Sequence, residues 1–414
     1  MHVGSVSENS NGNKKWKIAL FLCFLGLVLD GADVMILSLS LNSIRNDFGL
    51  SSTEAGFLGT ITVLSLAVGG LFGGWASDRF GRVKVIATSI LIFSILTGFL
   101  GMTRTVTEFA ILRALSGLGL GCVYIVSVGL IAEYVPTIKR ATMLSILGTG
   151  YTVGYIVASL IAGNVIPEFG WRPAYMLFWV GIFLAFIMYA FIPESESWKN
   201  SKKNIAEIAK TEKVESRLGF LLRDKAVLKI LLLWLTVSAV FHVGYTGVNH
   251  WMPTFVETEL NINYKAMTYY MIASWTAMIG GKLFAGYLGD KFGRRFSYMF
   301  GCIASAICLM LIIFFNSPAN ILFFLVAFGF LYGIPFGVYG TYMSESFPSY
   351  VRGTALGLAH NGGRIGSSIG PLLVGVITAG SSLSVAFFVL ALAYAICFVP
   401  LFFVREKMYD PQTV

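Results

Sequence analysis

Charged residues are scarce in this chain of 414 residues. Asp, Glu, Lys and Arg make up only 12% of the sequence, whereas hydrophobic residues make up 56%. An ordinary soluble protein carries about 25% charged residues. There are also only 4 His and 5 Cys, and the cysteines show no metal-ligand spacing. No nucleophile–base constellation or phosphate-binding loop is apparent. These shortages argue against an enzyme and predict neither a metal site nor a cofactor.

The apolar residues fall into long runs, and a run of about 20 residues spans the core of a bilayer. Twelve such runs are present, six in each half of the chain. They cover residues 17–39, 54–76, 84–103, 107–131, 141–164, 173–192, 228–251, 266–288, 296–315, 320–344, 353–375 and 382–404. The sequence therefore predicts an all-α integral membrane protein with twelve transmembrane helices. All five cysteines fall in these spans, where they are predicted to be small core residues.

Positive charge is distributed unevenly around these spans. The net charge is +9, and of the 30 Lys and Arg residues 23 lie in the termini and in the loops on their side of the membrane. Four lie in the opposite loops and three lie within spans. Cytoplasmic loops are enriched in Lys and Arg. The chain is therefore predicted to be a multi-pass protein of the cell (plasma or inner) membrane with both termini cytoplasmic, and no nucleic acid partner is expected.

One sequence block occurs twice at a fixed offset. Residues 78–82 read DRFGR, and residues 290–294, 212 positions later, read DKFGR. The same offset relates Glu133 to Glu345, Arg140 to Arg352, Gly117 to Gly329, Gly121 to Gly333, Gly150 to Gly362 and Gly154 to Gly366. Internal repeats of this size are typical of transporters. The chain is therefore predicted to consist of two homologous halves.

The repeat and the charge pattern together divide the chain. The predicted parts are a disordered cytoplasmic N-terminus (1–16), an N-terminal six-helix bundle (17–192), a cytoplasmic linker of mixed charge (193–227), a C-terminal six-helix bundle (228–404) and a cytoplasmic tail (405–414). Because that tail is short, a non-transporting sensor built on a transporter fold is the less favoured reading.

Each half carries the pattern Gly-x-x-x-Asp-x-x-Gly-Arg in the short loop between its second and third spans. Together with the alternating glycines that follow Arg113 in the fourth span, this doubled pattern resembles the major facilitator superfamily over residues 17–405. The resemblance implies two pseudo-symmetric six-helix bundles around a central cavity. It also implies alternating access, in which the bundles rock about that cavity, and a monomer is expected.

The loop residues are interpreted as gating residues rather than substrate ligands. A carboxylate at a helix end accepts backbone hydrogen bonds and pairs with a neighbouring Arg, and such pairs hold helices together in one conformation and break in another. The predicted gating residues are Asp78, Arg82, Arg140, Asp290, Arg294, Glu345 and Arg352. Glu133 is expected in the same charge network, and a proton-carrying role for it stays open.

Two carboxylates, Asp30 and Asp33, lie within the first span. On insertion scales a charged residue at mid-helix costs about 2.5–3.5 kcal/mol, so two in one turn indicate a function. A spacing of three residues places them near one helix face, which is expected to look into the cavity as a proton-carrying site. The alternative is a permanent salt bridge between Asp33 and Arg113, which lie at similar depth. The predicted proton-coupling residues are Asp30, Asp33, Arg113 and Glu133.

The first-span pattern Asp-Gly-x-Asp resembles that of the aromatic acid:proton symporter branch of the superfamily. Its third position is Ala32, where an aromatic residue is common in that branch, and carriers of sialic acid and nicotinate have similar first spans. The resemblance implies proton-coupled uptake of a small organic anion, such as an aromatic or other carboxylic acid, across the lipid bilayer. The alternatives are a sugar, sialic acid or nicotinate-type symporter and a proton-coupled drug exporter. The fifth span lacks the Gly-Pro motif that is common in exporters.

Arg364 is the predicted anchor for the substrate, since it lies near the middle of the eleventh span. Its planar guanidinium suits a carboxylate, and flanking glycines leave room for a ligand. A structural pair with a carboxylate of another helix is the alternative. The further substrate-binding candidates are Asn361, His242, Tyr245, Asn249, Tyr151, Tyr155, Trp275, Tyr332 and Tyr339. Lys282 is expected to extend its amine to the cytoplasmic interface and to be structural.

Overall fold

The described part of the chain folds into twelve helical spans. The computed structural model describes residues 10–135, 137–195, 198, 223–348 and 352–404, and within these ranges it contains no β-strand. The helices are α1 (Ser10–Phe48), α2 (Ser52–Phe80), α3 (Arg82–Leu100), α4 (Val106–Tyr134), α5 (Thr137–Phe169), α6 (Trp171–Phe191), α7 (Lys225–Thr258), α8 (Tyr264–Phe292), α9 (Arg294–Phe315), α10 (Ile321–Glu345), α11 (in two segments, Arg352–Ser367 and Ile369–Gly380) and α12 (Leu383–Phe403). The predicted all-α fold is confirmed.

Ten of these helices are long and apolar enough to cross a membrane, and the other two are α8 and α11. Helix α1 begins at Ser10 and ends at Phe48, so it is longer than the predicted span at both ends. Residues 10–16, predicted to be disordered, belong to this helix. Polar residues continue α1 beyond its apolar stretch, and hydropathy alone does not register them. The five cysteines are all buried and unpaired, as predicted.

The repeated loop motif makes the same turn in both halves. Gly81 separates α2 from α3 with φ 114°, and Gly293 separates α8 from α9 with φ 95°. Residues other than glycine rarely adopt such positive φ values. The glycine in each copy of the motif therefore allows one helix to end and the next to begin within a single residue.

Close helix packing also repeats between the halves. A Cβ added to Gly121 in α4 would collide with the carbonyl oxygen of Leu66 in α2. A Cβ added to Gly333 in α10 would collide with the carbonyl oxygen of Met278 in α8, and both of these residues lie 212 positions later. Small residues at helix interfaces permit such close approach of backbones in membrane proteins. The two halves thus share their packing as well as their motifs.

The twelve helices form an N-terminal bundle (α1–α6) and a C-terminal bundle (α7–α12). Between the bundles, α2 packs on α11, α5 packs on α8 and α1 packs on α7. Both α1 and α7 begin on the same side of the molecule, which is called the terminal side below. Successive spans alternate in direction, so the ends of α1, α5 and α7 lie on the opposite side.

Contacts between the bundles are close on that opposite side. Ser38 Oγ of α1 lies 3.3 Å from His250 Nδ1 of α7, a pair separated by the repeat distance of 212 residues. The Tyr264 hydroxyl donates to the Leu39 carbonyl at 2.8 Å. The Thr60 hydroxyl of α2 donates to the Ser368 carbonyl of α11 at 2.6 Å. These bonds hold the two bundles together on the side away from the termini.

Candidate functional site

Asp33 and Arg113 form an ion pair inside the N-terminal bundle. Both side chains are fully buried, and Arg113 Nη1 donates to Asp33 Oδ1. Thr97 of α3 donates to the other carboxylate oxygen, and Arg113 Nε donates to the Thr62 hydroxyl of α2 at 3.0 Å. The salt bridge that the sequence analysis gave as the alternative is therefore present. The expectation that both first-span acids look into the central cavity is wrong for Asp33, which points towards α2, α3 and α4.

Asp30, one turn away, is in a different state. Its side chain is 1% exposed, yet its Oδ1 has no hydrogen-bond partner in the described part of the chain. Arg364 of the C-terminal bundle and Arg113 of the N-terminal bundle are both close enough to interact electrostatically with Asp30. Both carboxylate oxygens of Asp33 are therefore bonded within the N-terminal bundle, whereas one oxygen of Asp30 has no bonded partner among the described residues.

Arg364 lies in the first segment of α11, in line with its predicted central position. Its Nη1 is buried and has no hydrogen-bond partner among the residues that the structure describes, and the same is true of Asn361 Oδ1 and His360 Nε2 on the same helix. The guanidinium carbon lies 5.7 Å from the ring centroid of Tyr124 in α4. We call Asp30, His360, Asn361 and Arg364 the central cluster. Buried polar groups normally have partners, so unpartnered ones from both bundles mark a place where a ligand can supply them.

Aromatic rings border the central cluster. The His360 ring stacks on Tyr124 with centroids 6.3 Å apart, and His242 approaches His360 at 5.8 Å. Tyr339 lies 5.7 Å from His242. His242 Nδ1 donates to the Ser238 carbonyl at 2.8 Å, so one ring nitrogen is bonded within α7. The predicted residues His242 and Tyr339 thus lie beside His360, which is four residues before Arg364 on α11.

Lys282 does not extend to the interface, contrary to the prediction. Its Nζ donates to the Thr152 hydroxyl of α5 at 2.9 Å and lies 5.8 Å from the ring centroid of Phe336. Its depth in α8 allowed either direction, and the side chain points across to the N-terminal bundle. Lys282 therefore belongs to the contact zone between the bundles.

The predicted tyrosines Tyr151, Tyr155 and Tyr245 meet between the bundles. The rings of Tyr151 and Tyr155 are 5.3 Å apart, and the Tyr155 and Tyr245 hydroxyls are 3.2 Å apart. Trp275 packs on Tyr155 at 5.3 Å. This group joins α5 to α7 and α8 and forms one wall of the region around Arg364.

Asn249 and Tyr332, with Trp275, lie around a separate small cavity. It measures about 20 Å³, which holds at most a single water molecule. The Asn249 amide donates to the Tyr332 hydroxyl and, at 2.9 Å, to the Tyr245 carbonyl. The polar groups of Asn249 and Tyr332 are thus bonded within the C-terminal bundle, and an organic acid does not fit in this cavity.

The predicted charge networks lie at the terminal side. Arg82 Nε donates to Glu133 at 3.2 Å, and Arg294 Nε donates to Glu345 at 3.5 Å, 212 residues later. Asp290 also pairs with Arg294, at 2.5 Å. The predicted partnerships are confirmed for these residues. The side chains of Asp78, Arg140 and Arg352 lie outside the described residues, and the proton role of Glu133 stays a prediction.

Sequence reasoning missed two partners of the network on the terminal side. Glu194 accepts from the backbone nitrogens of Val83 at 3.1 Å and Lys84 at 3.0 Å, at the start of α3. Ser195 donates to Glu133. A carboxylate at a helix N-terminus satisfies free N–H groups and interacts well with the helix dipole. The start of the predicted linker is therefore bound to the N-terminal bundle.

Tyr124 and His360 also escaped the sequence analysis, because the position of a Tyr or His in an apolar helix does not tell whether its side chain faces the space between the bundles. The repeat did contain a signal for Tyr124, because this residue corresponds to Phe336, 212 positions later. A cation lies over each of these two rings.

Two bundles of membrane-crossing helices, with unpartnered polar groups between them, define a multi-pass membrane transporter. The chain belongs to the Major Facilitator Superfamily, whose sequence profile matches residues 23–366 and 266–413. This confirms the resemblance stated from the doubled loop motif.

The relatives agree with this assignment. The cis,cis-muconate transport protein of Acinetobacter baylyi is 50% identical over 403 residues, which cover 97% of each chain. The benzoate transport protein of the same organism is 24% identical and covers 96% of this chain and 91% of its own. A solved D-xylose-proton symporter shares the fold with a TM-score of 0.78 at 20% identity, covering 95% of this chain and 99% of its own. The chain is a transporter and not an enzyme.

Proposed function

We propose that this protein is a secondary active symporter that takes up a small organic anion together with protons. The buried carboxyl of Asp30 carries the proposal, because its Oδ1 has no hydrogen-bond partner among the described residues and its charge interacts with that of Arg364. The names of the relatives, which transport muconate and benzoate, support an organic acid as substrate. In this proposal the protein works as a monomer in the cell (plasma or inner) membrane, and its terminal side is the cytoplasmic side.

Asp30 is the proposed proton carrier. A charged carboxylate that is buried without a partner is costly, and protonation removes that cost. The charged groups that act on Asp30 are Arg364, Asp33 and Arg113. Asp33 is held by Arg113 and Thr97, so Asp30 is the acid with a free oxygen. Asp33 and Arg113 then keep the first span oriented while Asp30 gains and loses the proton.

Arg364 is the proposed anchor for the substrate carboxylate. Its unpartnered Nη1 can donate to a carboxylate oxygen, and Asn361 and His360 add polar groups beside it. Protonation of Asp30 removes a competing negative charge near Arg364, so proton binding favours anion binding. This link gives the coupling a physical cause, because each ligand improves the site for the other.

Release requires the bundles to move relative to one another. The bonds Ser38–His250 and Tyr264–Leu39 join the bundles on the side opposite the termini. We propose that these bonds break when the site opens outward. The networks around Glu133 and Glu345, together with Asp78, Arg140 and Arg352, then form the gate on the terminal side.

Transport by purified protein in proteoliposomes tests the proposal. With an acidic exterior, we expect accumulation of labelled cis,cis-muconate or benzoate, and loss of accumulation when the pH gradient is abolished. Asp30→Asn should abolish the response to the gradient but retain exchange of internal for external substrate, because a neutral side chain mimics the protonated acid.

Asp47→Asn is the matched control, since Asp47 pairs with Arg172 at 2.5 Å in a half-exposed position away from the central cluster. An excess of D-xylose should not compete with the labelled acid. If accumulation by the unmodified protein does not depend on the pH gradient, proton coupling is refuted. If D-xylose competes with the labelled acid, the proposal that the substrate is an organic anion is refuted.

A further inference from the structure

We propose that Lys282 forms a second anion-binding subsite beside Arg364, and that the two cations together make the transporter selective for dicarboxylates over monocarboxylates. This inference rests on the proposed function, because it specifies which organic anions the site prefers.

The surroundings of Lys282 provide the first argument. Its ammonium donates to the neutral Thr152 hydroxyl at 2.9 Å, and no carboxylate of the described residues lies within salt-bridge distance of it. A buried cation without a counter-ion is costly. Such a cation between two bundles contributes little to folding stability, but it can bind an anion that enters from solution.

The repeat provides the second argument. Tyr124 and Phe336 occupy equivalent positions in α4 and α10. Arg364 lies 5.7 Å from the centroid of the first ring, and Lys282 lies 5.8 Å from the centroid of the second. The two rings are therefore related by the repeat, and a cation of the C-terminal bundle lies over each of them. A cation is attracted to the face of an aromatic ring. The side of the cation that points away from the ring can still bind a ligand.

A continuous set of rings joins the two cations. Phe336 lies 5.9 Å from His242, His242 lies 5.8 Å from His360, and His360 lies 6.3 Å from Tyr124. We call these four rings the ring wall. The ring wall is an aromatic surface that runs from one cation to the other, which suits the flat unsaturated chain of an acid with a carboxylate at each end.

The two cations have no charged counterparts in the N-terminal half. Arg364 corresponds to Thr152, and Lys282 corresponds to Gly70. Thr152 is itself the residue that Lys282 contacts. No acid therefore stands at either equivalent position. Asp30, whose charge interacts with that of Arg364, is neutral when the substrate binds in the proposed function, so both positive charges are then open to the carboxylates of the substrate.

A pair of ligands with the same carbon skeleton gives the sharpest test. cis,cis-Muconate, a hexadienedioate, carries two carboxylates, whereas 2,4-hexadienoate carries one. Binding to the purified full-length protein is measured in detergent at equal pH. Since a charge-assisted hydrogen bond contributes about tenfold or more in affinity, the unmodified protein should bind the dicarboxylate at least about tenfold more tightly.

Variants of Lys282 test whether the preference for the dicarboxylate depends on this residue. Lys282→Met should weaken binding of the dicarboxylate by about tenfold or more and leave binding of the monocarboxylate unchanged. Lys282→Arg should keep the preference, because the charge is retained. Lys229→Met is the matched control, since Lys229 is exposed on α7. Unchanged binding of the monocarboxylate by Lys282→Met also reports that this variant is folded.

Equal affinity of the unmodified protein for both ligands would overturn the inference, even if Lys282→Met fails to fold. Equal weakening of both ligands by Lys282→Met, or an unchanged preference, would do the same. These outcomes differ from failure of the proposed function, because binding is measured without a pH gradient. Proton-driven uptake with no preference for two carboxylates refutes only the role of Lys282, and a Lys282-dependent preference without proton-driven uptake refutes only symport.

Discussion

The N-terminal and C-terminal bundles share one backbone plan but treat buried charge differently. In the N-terminal bundle, Arg113 bonds to Asp33 and to Thr62. At the equivalent positions the C-terminal bundle has Leu325, Tyr245 and Ser274, and the Ser274 hydroxyl donates to the Leu325 carbonyl at 2.8 Å. The contact between α2 and α4 is therefore made by a buried Arg side chain, and the equivalent contact between α8 and α10 is made by a neutral hydrogen bond.

The reverse holds near the centre. The C-terminal bundle contributes Arg364 and Lys282, and the N-terminal bundle has Thr152 and Gly70 at the equivalent positions. A duplicated fold can thus keep its packing in both copies while dividing its chemistry between them. The N-terminal half holds the acids suited to protons, and the C-terminal half holds the cations suited to an anion.

Breaking the ion pair of the N-terminal bundle should have the largest effect on stability. Arg113→Leu copies the C-terminal half but leaves the Asp33 carboxylate buried and unpaired, which should cost about 3–5 kcal/mol. The double variant Asp33→Asn with Arg113→Leu should recover most of that loss, because no charge remains. Thermal unfolding of the purified variants measures both. Equal stability of the single and double variants would show that the unpaired Asp33 charge is not the cause of the destabilisation.

Filling the glycine contacts should destabilise both halves alike. Gly121→Ala and Gly333→Ala each place a methyl group against a carbonyl of the neighbouring helix, and overpacking of this kind costs about 1–3 kcal/mol. Gly129→Ala and Gly340→Ala are the controls on the same two helices, because an added Cβ meets no atom within 4 Å at either position. Destabilisation in one half alone would mean that the close packing is not shared, which thermal unfolding can decide.

The networks on the terminal side should give the smallest effects. Glu133 accepts from Arg82 and Ser195, whereas Glu345 accepts from Arg294 and has an unpartnered Oε2. Partly exposed ion pairs contribute about 0–1 kcal/mol. We therefore expect Glu133→Gln to lower the free energy of unfolding slightly more than Glu345→Gln, with both differences reduced at high salt. A larger loss from Glu345→Gln would reverse this comparison of the halves.

Much of the architecture was readable from the chain. The twelve spans, the two halves and the pairing of Asp33 with Arg113 follow from hydropathy, from the 212-residue offset and from matched depth. The depth of a residue in its span does not determine the direction of its side chain, however. Lys282 was therefore predicted to extend to the cytoplasmic interface, whereas in the structure it contacts Thr152. Tyr124 and His360 were missed, because a ring in an apolar helix has the same hydropathy whether it faces lipid, core or ligand.

The linear order of residues was sufficient for the helices, their number and their duplication, since these depend on local apolar length and on repeated motifs. It was not sufficient for the roles of Asp30 and Asp33. Three residues along a helix turn the side chain by about 60° from the starting direction, and this small angle separates the interior of the N-terminal bundle from the zone facing Arg364. Which acid became bonded and which stayed free depended on the neighbours that folding brought to each, and those neighbours come from helices far apart in the chain.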